Sequence, residues 1–170
     1  MPGTGQTGTG QTGTGQNGRA ELIVVGADGS SSSQAALTWA VRQAELTGGT
    51  VQAVIAWQYP AVVAGYGWAP VAMIDTTDLG EIAAKTVNDM VADVVDPASD
   101  VRVSTLVREG NPARVLLDAA QGADLLVVGS RGHGGFAGAM LGSVSQHCLH
   151  HSPCPVVVIR STGTDDETVS

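Results

Sequence analysis

Two short apolar runs, Leu22-Ile23-Val24-Val25 and Leu125-Leu126-Val127-Val128, each end in a glycine, Gly26 and Gly129. Rich in β-branched residues and without a polar position for water to reach, each reads as a strand covered on both faces. Strands covered on both faces need helices on both faces. That requirement restricts the chain to a mainly parallel α/β sheet.

The segments between the runs supply the helices. Ser30 to Ser33 offer caps, and Ala36, Leu37, Ala40, Val41 and Ala44 recur at helical spacing before Gly48-Gly49 stops the pattern. Val51 to Trp57 reads as a second strand, which makes a right-handed βαβ unit. Thr77 or Asp78 caps a second helix running to about Val95, with Ile82, Val87, Met90, Val91 and Val94 as its apolar face and Pro97 beyond it. Val101 to Val107 alternates, as a half-exposed edge strand does. Asn111-Pro112 opens a third helix, Asn as N-cap and Pro at its first position, ending by Gly122. A fourth helix starts near Ser143 and ends before Pro153, and Pro155 to Ile159 is the fifth strand.

Five strands alternating with four helices make a doubly wound, five-stranded parallel sheet with helices on both faces. The unbroken runs place strands one and four centrally, giving the order 3-2-1-4-5. In such sheets ligands bind outside the carboxyl ends of the strands, where the winding reverses. The turns after Gly26 and Val128 therefore face a common ligand.

Around this domain, residues 20–160, the chain changes character. Residues 1–19 hold three pentads, each Gly-Thr-Gly-Gln followed by Thr or Asn, whose repeats have no apolar side chain to bury, so a disordered tail is expected. Residues 161–170 read as a flexible acidic tail. Tyr59 to Thr77 is long for an α/β connection and carries Tyr59, Tyr66 and Trp68, which suits a lid, a subunit contact or packing under the next helix. Sixteen acidic against eight basic residues, a net charge of -8, argue against nucleic acid as a partner. No run approaches a membrane span, and the N-terminus lacks the pattern of a secretory signal, so a cytoplasmic location is expected.

The chemistry concentrates in Gly129-Ser130-Arg131-Gly132 and, nine residues on, Gly142-Ser143-Val144-Ser145. Gly129 allows a sharp turn off the strand, and Gly132 allows close backbone approach to a ligand. The first amides of the helix after Gly142, its dipole and the hydroxyls of Ser143 and Ser145 suit a di- or triphosphate, and Arg131 adds charge. A P-loop lysine is ruled out, because Lys85 is the only lysine and has no glycine-rich context. His147, His150 and His151 lie near Cys148 and Cys154. These are zinc-ligand types without the paired spacings of a structural zinc site, and histidines ending a helix are explained by its dipole. His133 lies in the glycine loop, where solvent exposure is expected.

The spacing Gly129-x-x-Gly132, nine residues, Gly142-Ser143 resembles the nucleotide-binding signature of the ATP-binding branch of the universal stress protein family. Val25-Gly26-Ala27-Asp28-Gly29-Ser30 is similar to that family's first strand and turn, Glu109-Gly110-Asn111-Pro112-Ala113 to its third helix entry, and Cys154-Pro155-Val156-Val157-Val158 to its last strand. The resemblance runs from about Glu21 to Arg160. It implies ATP, with Mg2+, between strands one and four. Asp28 would lie near adenine or ribose beside Gly26 and Ala27, with Ala56 and Val128 against the base. The phosphates would lie over Gly129, Gly132, Gly142, Ser143, Val144 and Ser145. Ile55 or Trp57 would replace Ala56 if the strand phase slips by one.

Three functions follow as expectations. The first is an ATP-binding protein of stress response or signalling, paired as a homodimer through Pro155 to Ile159, whose β-branched residues make a poor exposed edge. The second is a slow ATPase or adenylyl-transferring enzyme on the same fold. The third is a nucleotide-free interaction module, since some family members lack the glycine signature. Asp28, Arg131 and His133 alone do not make a machine for phosphoryl transfer, so dedicated catalysis is not expected and slow ATP hydrolysis is the upper limit.

Overall fold

The computed structural model describes residues 20–58, 76–132 and 141–161. The glycine-rich pentads, most of the Tyr59 to Thr77 segment, His133 and the acidic tail lie outside the described residues.

The chain alternates β1 (Leu22–Ala27), α1 (Ser31–Thr47), β2 (Thr50–Trp57), α2 (Thr76–Val94), β3 (Arg102–Glu109), α3 (Pro112–Ala119), β4 (Leu125–Gly129), α4 (Ser143–His151) and β5 (Val156–Ile159). All pairings are parallel and the sheet order is β3-β2-β1-β4-β5. The doubly wound five-stranded sheet read from the apolar runs is the observed one. The winding reverses between β1 and β4, where Val25 pairs with Val127.

Alternation along each strand divides the core in two. Ile23, Val25, Val51, Ala53, Ile55 and Val127 meet α1 and α2 through Leu37, Ala40, Val87 and Met90. Val24, Val54, Leu126 and Val128 meet α3 and α4 through Val115, Leu116 and Cys148. Burying a side chain of this size contributes about 1.5–3 kcal/mol, so the two layers together hold the sheet between its helices.

The caps explain where the helices begin and stop. Ser30 is the N-cap of α1, its Oγ accepting from the Ser33 amide, and Gly48 ends the helix in the left-handed region at φ 70°. Asn111 caps α3 by accepting from the Arg114 amide, with Pro112 at the first position. The serine run therefore divides: Ser30 caps, and Ser31 to Ser33 are the first turn of α1. One core expectation fails. Ile82 is 60% exposed, and Ala83 takes the buried position instead, because the stripe Ala83, Val87, Met90 keeps the i, i+4, i+7 spacing that Ile82 breaks.

Candidate functional site

At the carboxyl end of the sheet, on the α3 and α4 side, lies a cleft of about 240 Å³ that opens to solvent. That is a little below the roughly 300–1,000 Å³ of drug-sized ligand pockets, and the open mouth adds room for a ligand that extends into solvent. Its floor is apolar. Gly26, Val54, Ala56 and Val128 point to this face of the sheet, and Leu116 of α3 closes over them. A side chain at Gly26 would put its Cβ 3.1 Å from Leu116 Cδ1, so glycine makes room for the helix. Ala56 shares its face with Val54, while Ile55 packs into the opposite layer, which fixes the strand phase.

One wall is the β1 turn. The Oδ1 atom of Asp28 accepts from the Ser30 amide at 2.9 Å and the Ser30 hydroxyl at 2.6 Å. Ser30 Oγ accepts from the Ser33 amide at 3.2 Å, and Ser33 Oγ donates to the Ser30 carbonyl at 2.9 Å. The start of α1 is thus closed by its own side chains.

The other wall is the loop after β4, held against α1 so tightly that at position 129 only glycine fits. A Cβ at Gly129 would lie 2.6 Å from Ser32 Oγ and 2.8 Å from the Ser32 carbonyl carbon. A Cβ at Gly132 would lie 2.5 Å from Asp28 Oδ2, across the switch point. Gly129 and Gly132 are not among the positive-φ glycines of the described residues. At Gly129 close approach to the Ser32 backbone, rather than the turn expected from the sequence, requires glycine, whereas at Gly132 the neighbour is the carboxylate end of the Asp28 side chain. Ser32 Oγ donates to the Arg131 carbonyl. From the far side, Ser145 Oγ donates to the Gly129 carbonyl at 2.6 Å, and the Gly142 amide to the Ser130 carbonyl at 2.8 Å.

That leaves the start of α4. Gly142 is its N-cap, extended at φ -71° and ψ 157°, and no side chain caps the helix. A Cβ there would meet nothing nearer than 3.6 Å. The residues of the first turn, whose amides have no intrahelical acceptor, line the cleft together with Asp28 and exposed Arg131.

All twelve site residues singled out in the sequence line this cleft: Gly26, Ala27, Asp28, Ala56, Val128, Gly129, Arg131, Gly132, Gly142, Ser143, Val144 and Ser145. Ser143 is exposed at the rim, whereas the Ser145 hydroxyl spends its proton on Gly129. Ser33, Val54, Pro112 and Leu116 also line it and were not anticipated. Val54 was legible as the period-two neighbour of Ala56, and Pro112 with Leu116 as an i, i+4 pair on α3.

The universal stress protein family model matches residues 20–160. The chain belongs to the universal stress protein family. A universal stress protein of Mycolicibacterium smegmatis is 37% identical over 143 residues, covering 81% of this chain and 47% of the relative. One of Mycobacterium tuberculosis is 36% identical over 140 residues, covering 82% and 45%. The chain thus spans about half the length of the curated relatives it matches. A solved universal stress protein of Lactobacillus plantarum superposes with TM-score 0.64 at 26% identity, over 85% of this chain and all of that one. Another, solved in complex with cAMP, gives TM-score 0.54 at 27% identity over 84% and 98%.

Proposed function

We propose that this universal stress protein binds an adenine nucleotide, ATP with Mg2+, at the switch point and acts in cytoplasmic stress response or signalling without dedicated catalysis. The observation that carries the reading is the uncapped start of α4, opening on a cleft whose opposite wall is Asp28. An anion is the natural occupant of such a helix end. The apolar slot between Ala56, Val128 and Leu116 suits a planar base, and Asp28 Oδ2 is placed for a ribose hydroxyl or a base amine. The cAMP complex of a family member supports a nucleotide of this class.

The residues present suit the phosphates better than they suit a metal. A single carboxylate, with one oxygen already accepting twice from Ser30, is too little for a protein-held Mg2+. Mg2+ would enter on the phosphates and be held mainly by them. Among the described residues the cleft brings charge only from Asp28 and Arg131, and nothing pairs with them to orient a nucleophile. We also propose a homodimer through β5, since Val156 to Ile159 remain half-buried on the sheet edge.

Calorimetry with Mg-ATP, together with adenine nucleotide released by denaturing the purified protein, tests the reading. Binding of one nucleotide per chain to a particle of dimer mass is expected. Absence of both binding heat and released nucleotide would remove the nucleotide reading, and a monomer mass at micromolar concentration would remove the β5 pairing.

A further inference from the structure

Helix α4 carries a second feature at the end away from the cleft. His147 and His151 are both exposed, with ring centroids 4.5 Å apart and planes tilted by 43°. A separation of four residues puts both rings on one face of the helix, one above the other. His150 is turned elsewhere: its centroid is 6.4 Å from that of His151, and its Nδ1–H donates to the Gln146 carbonyl at 2.7 Å. The cysteines do not join them. Cys148 is wholly buried, and burial pushes its thiol up to about 11, while Cys154 lies beyond the helix beside Ser152.

Two imidazoles on one face are a bidentate nitrogen donor set, which suits Cu2+, Ni2+ and Zn2+ and does not suit Mg2+ or Ca2+. The negative end of the helix dipole adds attraction for a cation at this turn. Among the described residues no group of three or more His, Cys, Asp or Glu could hold a metal. The remaining coordination positions therefore fall to water or to a donor from another molecule, unlike a closed structural zinc site.

We propose that His147 and His151 form a surface site for a divalent transition-metal ion, taking Cu2+ more tightly than Zn2+. The ion clamps the last turn of α4. This helix has nine residues, and its first turn is the open edge of the cleft, so an ion that binds the helical form stabilises the element that shapes the nucleotide site. The site itself does not depend on the nucleotide reading.

The test is calorimetric titration of the untagged full chain with CuCl2, ZnCl2 and MgCl2, alongside thermal unfolding. One Cu2+ per chain, weaker Zn2+, no Mg2+ at this site and a higher Tm with Cu2+ are expected. His147→Gln and His151→Gln should each weaken Cu2+ binding by about tenfold or more, with His150→Gln unchanged. Because all three side chains are exposed, these variants keep the fold, which circular dichroism checks. Parental Cu2+ affinity in the double variant H147Q/H151Q, an equal loss in His150→Gln, or no Cu2+ binding by the parent would overturn the proposal.

Discussion

Two helices present their N-termini at the switch point, and they end in opposite ways. Helix α1 begins with a serine N-cap, a second serine returning a bond to the cap carbonyl, and Asp28, whose carboxylate accepts from Ser30 and whose amide donates to Ser33 Oγ. Helix α4 begins with a glycine and no cap. Each follows one of the two central strands, on opposite faces of the sheet, and at their N-termini what separates them is which donors are already satisfied. A helix end that caps itself is structural, and one left open beside a cavity is available to a ligand.

The glycines sharpen the same contrast. Gly129 is required by the protein itself, because a methyl there collides with the Ser32 backbone. At Gly142 the conformation is one any residue adopts and the space is open, so the protein's own packing does not require glycine. Gly129→Ala should therefore have the largest effect on stability, a loss of about 2–3 kcal/mol from overpacking a contact that includes backbone. The thermal midpoint should fall by roughly 4–12 °C, with nucleotide binding lost alongside. Unchanged unfolding would mean that the loop relaxes away from α1 without penalty and that Ser32 does not hold the two walls together.

A smaller effect is expected on the capped side. Ser30→Ala removes the α1 cap and one tie to Asp28, which should cost about 1 kcal/mol in chemical denaturation. Nucleotide affinity should move by less than about fivefold, under 1 kcal/mol. A greater loss of affinity than of stability would place phosphate on α1 and dissolve the distinction between the two helices.

Much of this was legible in the sequence, for identifiable reasons. The runs Leu22 to Val25 and Leu125 to Val128 have no polar face, and that alone set the centre of the sheet. The spacing of Gly129, Gly132 and Gly142 marked the loop, and at Gly129 close backbone approach to Ser32 is what leaves glycine as its trace. Contacts between distant segments left no such trace. Ser32 reads as one serine among four, yet its hydroxyl meets the carbonyl of Arg131, 99 residues away. Ser145 reads as a phosphate ligand, while its proton is already given to Gly129. Ile82 looked like core because it is large and apolar, but the helical stripe is set by Val87 and Met90, and the smaller Ala83 lies on it.

The claim that the open end of α4 is the nucleotide's anion seat is tested most directly by Gly142→Asp. An aspartate fits the extended backbone there and can cap the helix, while its charge occupies the place assigned to phosphate. Thermal unfolding and Mg-ATP calorimetry on the same sample read both consequences. Stability should rise by about 0.5–1 kcal/mol, shifting the midpoint up by roughly 1–4 °C. Affinity should fall about a hundredfold, near 2.7 kcal/mol. A variant that gains the cap and still binds Mg-ATP as the parent does would contradict the account.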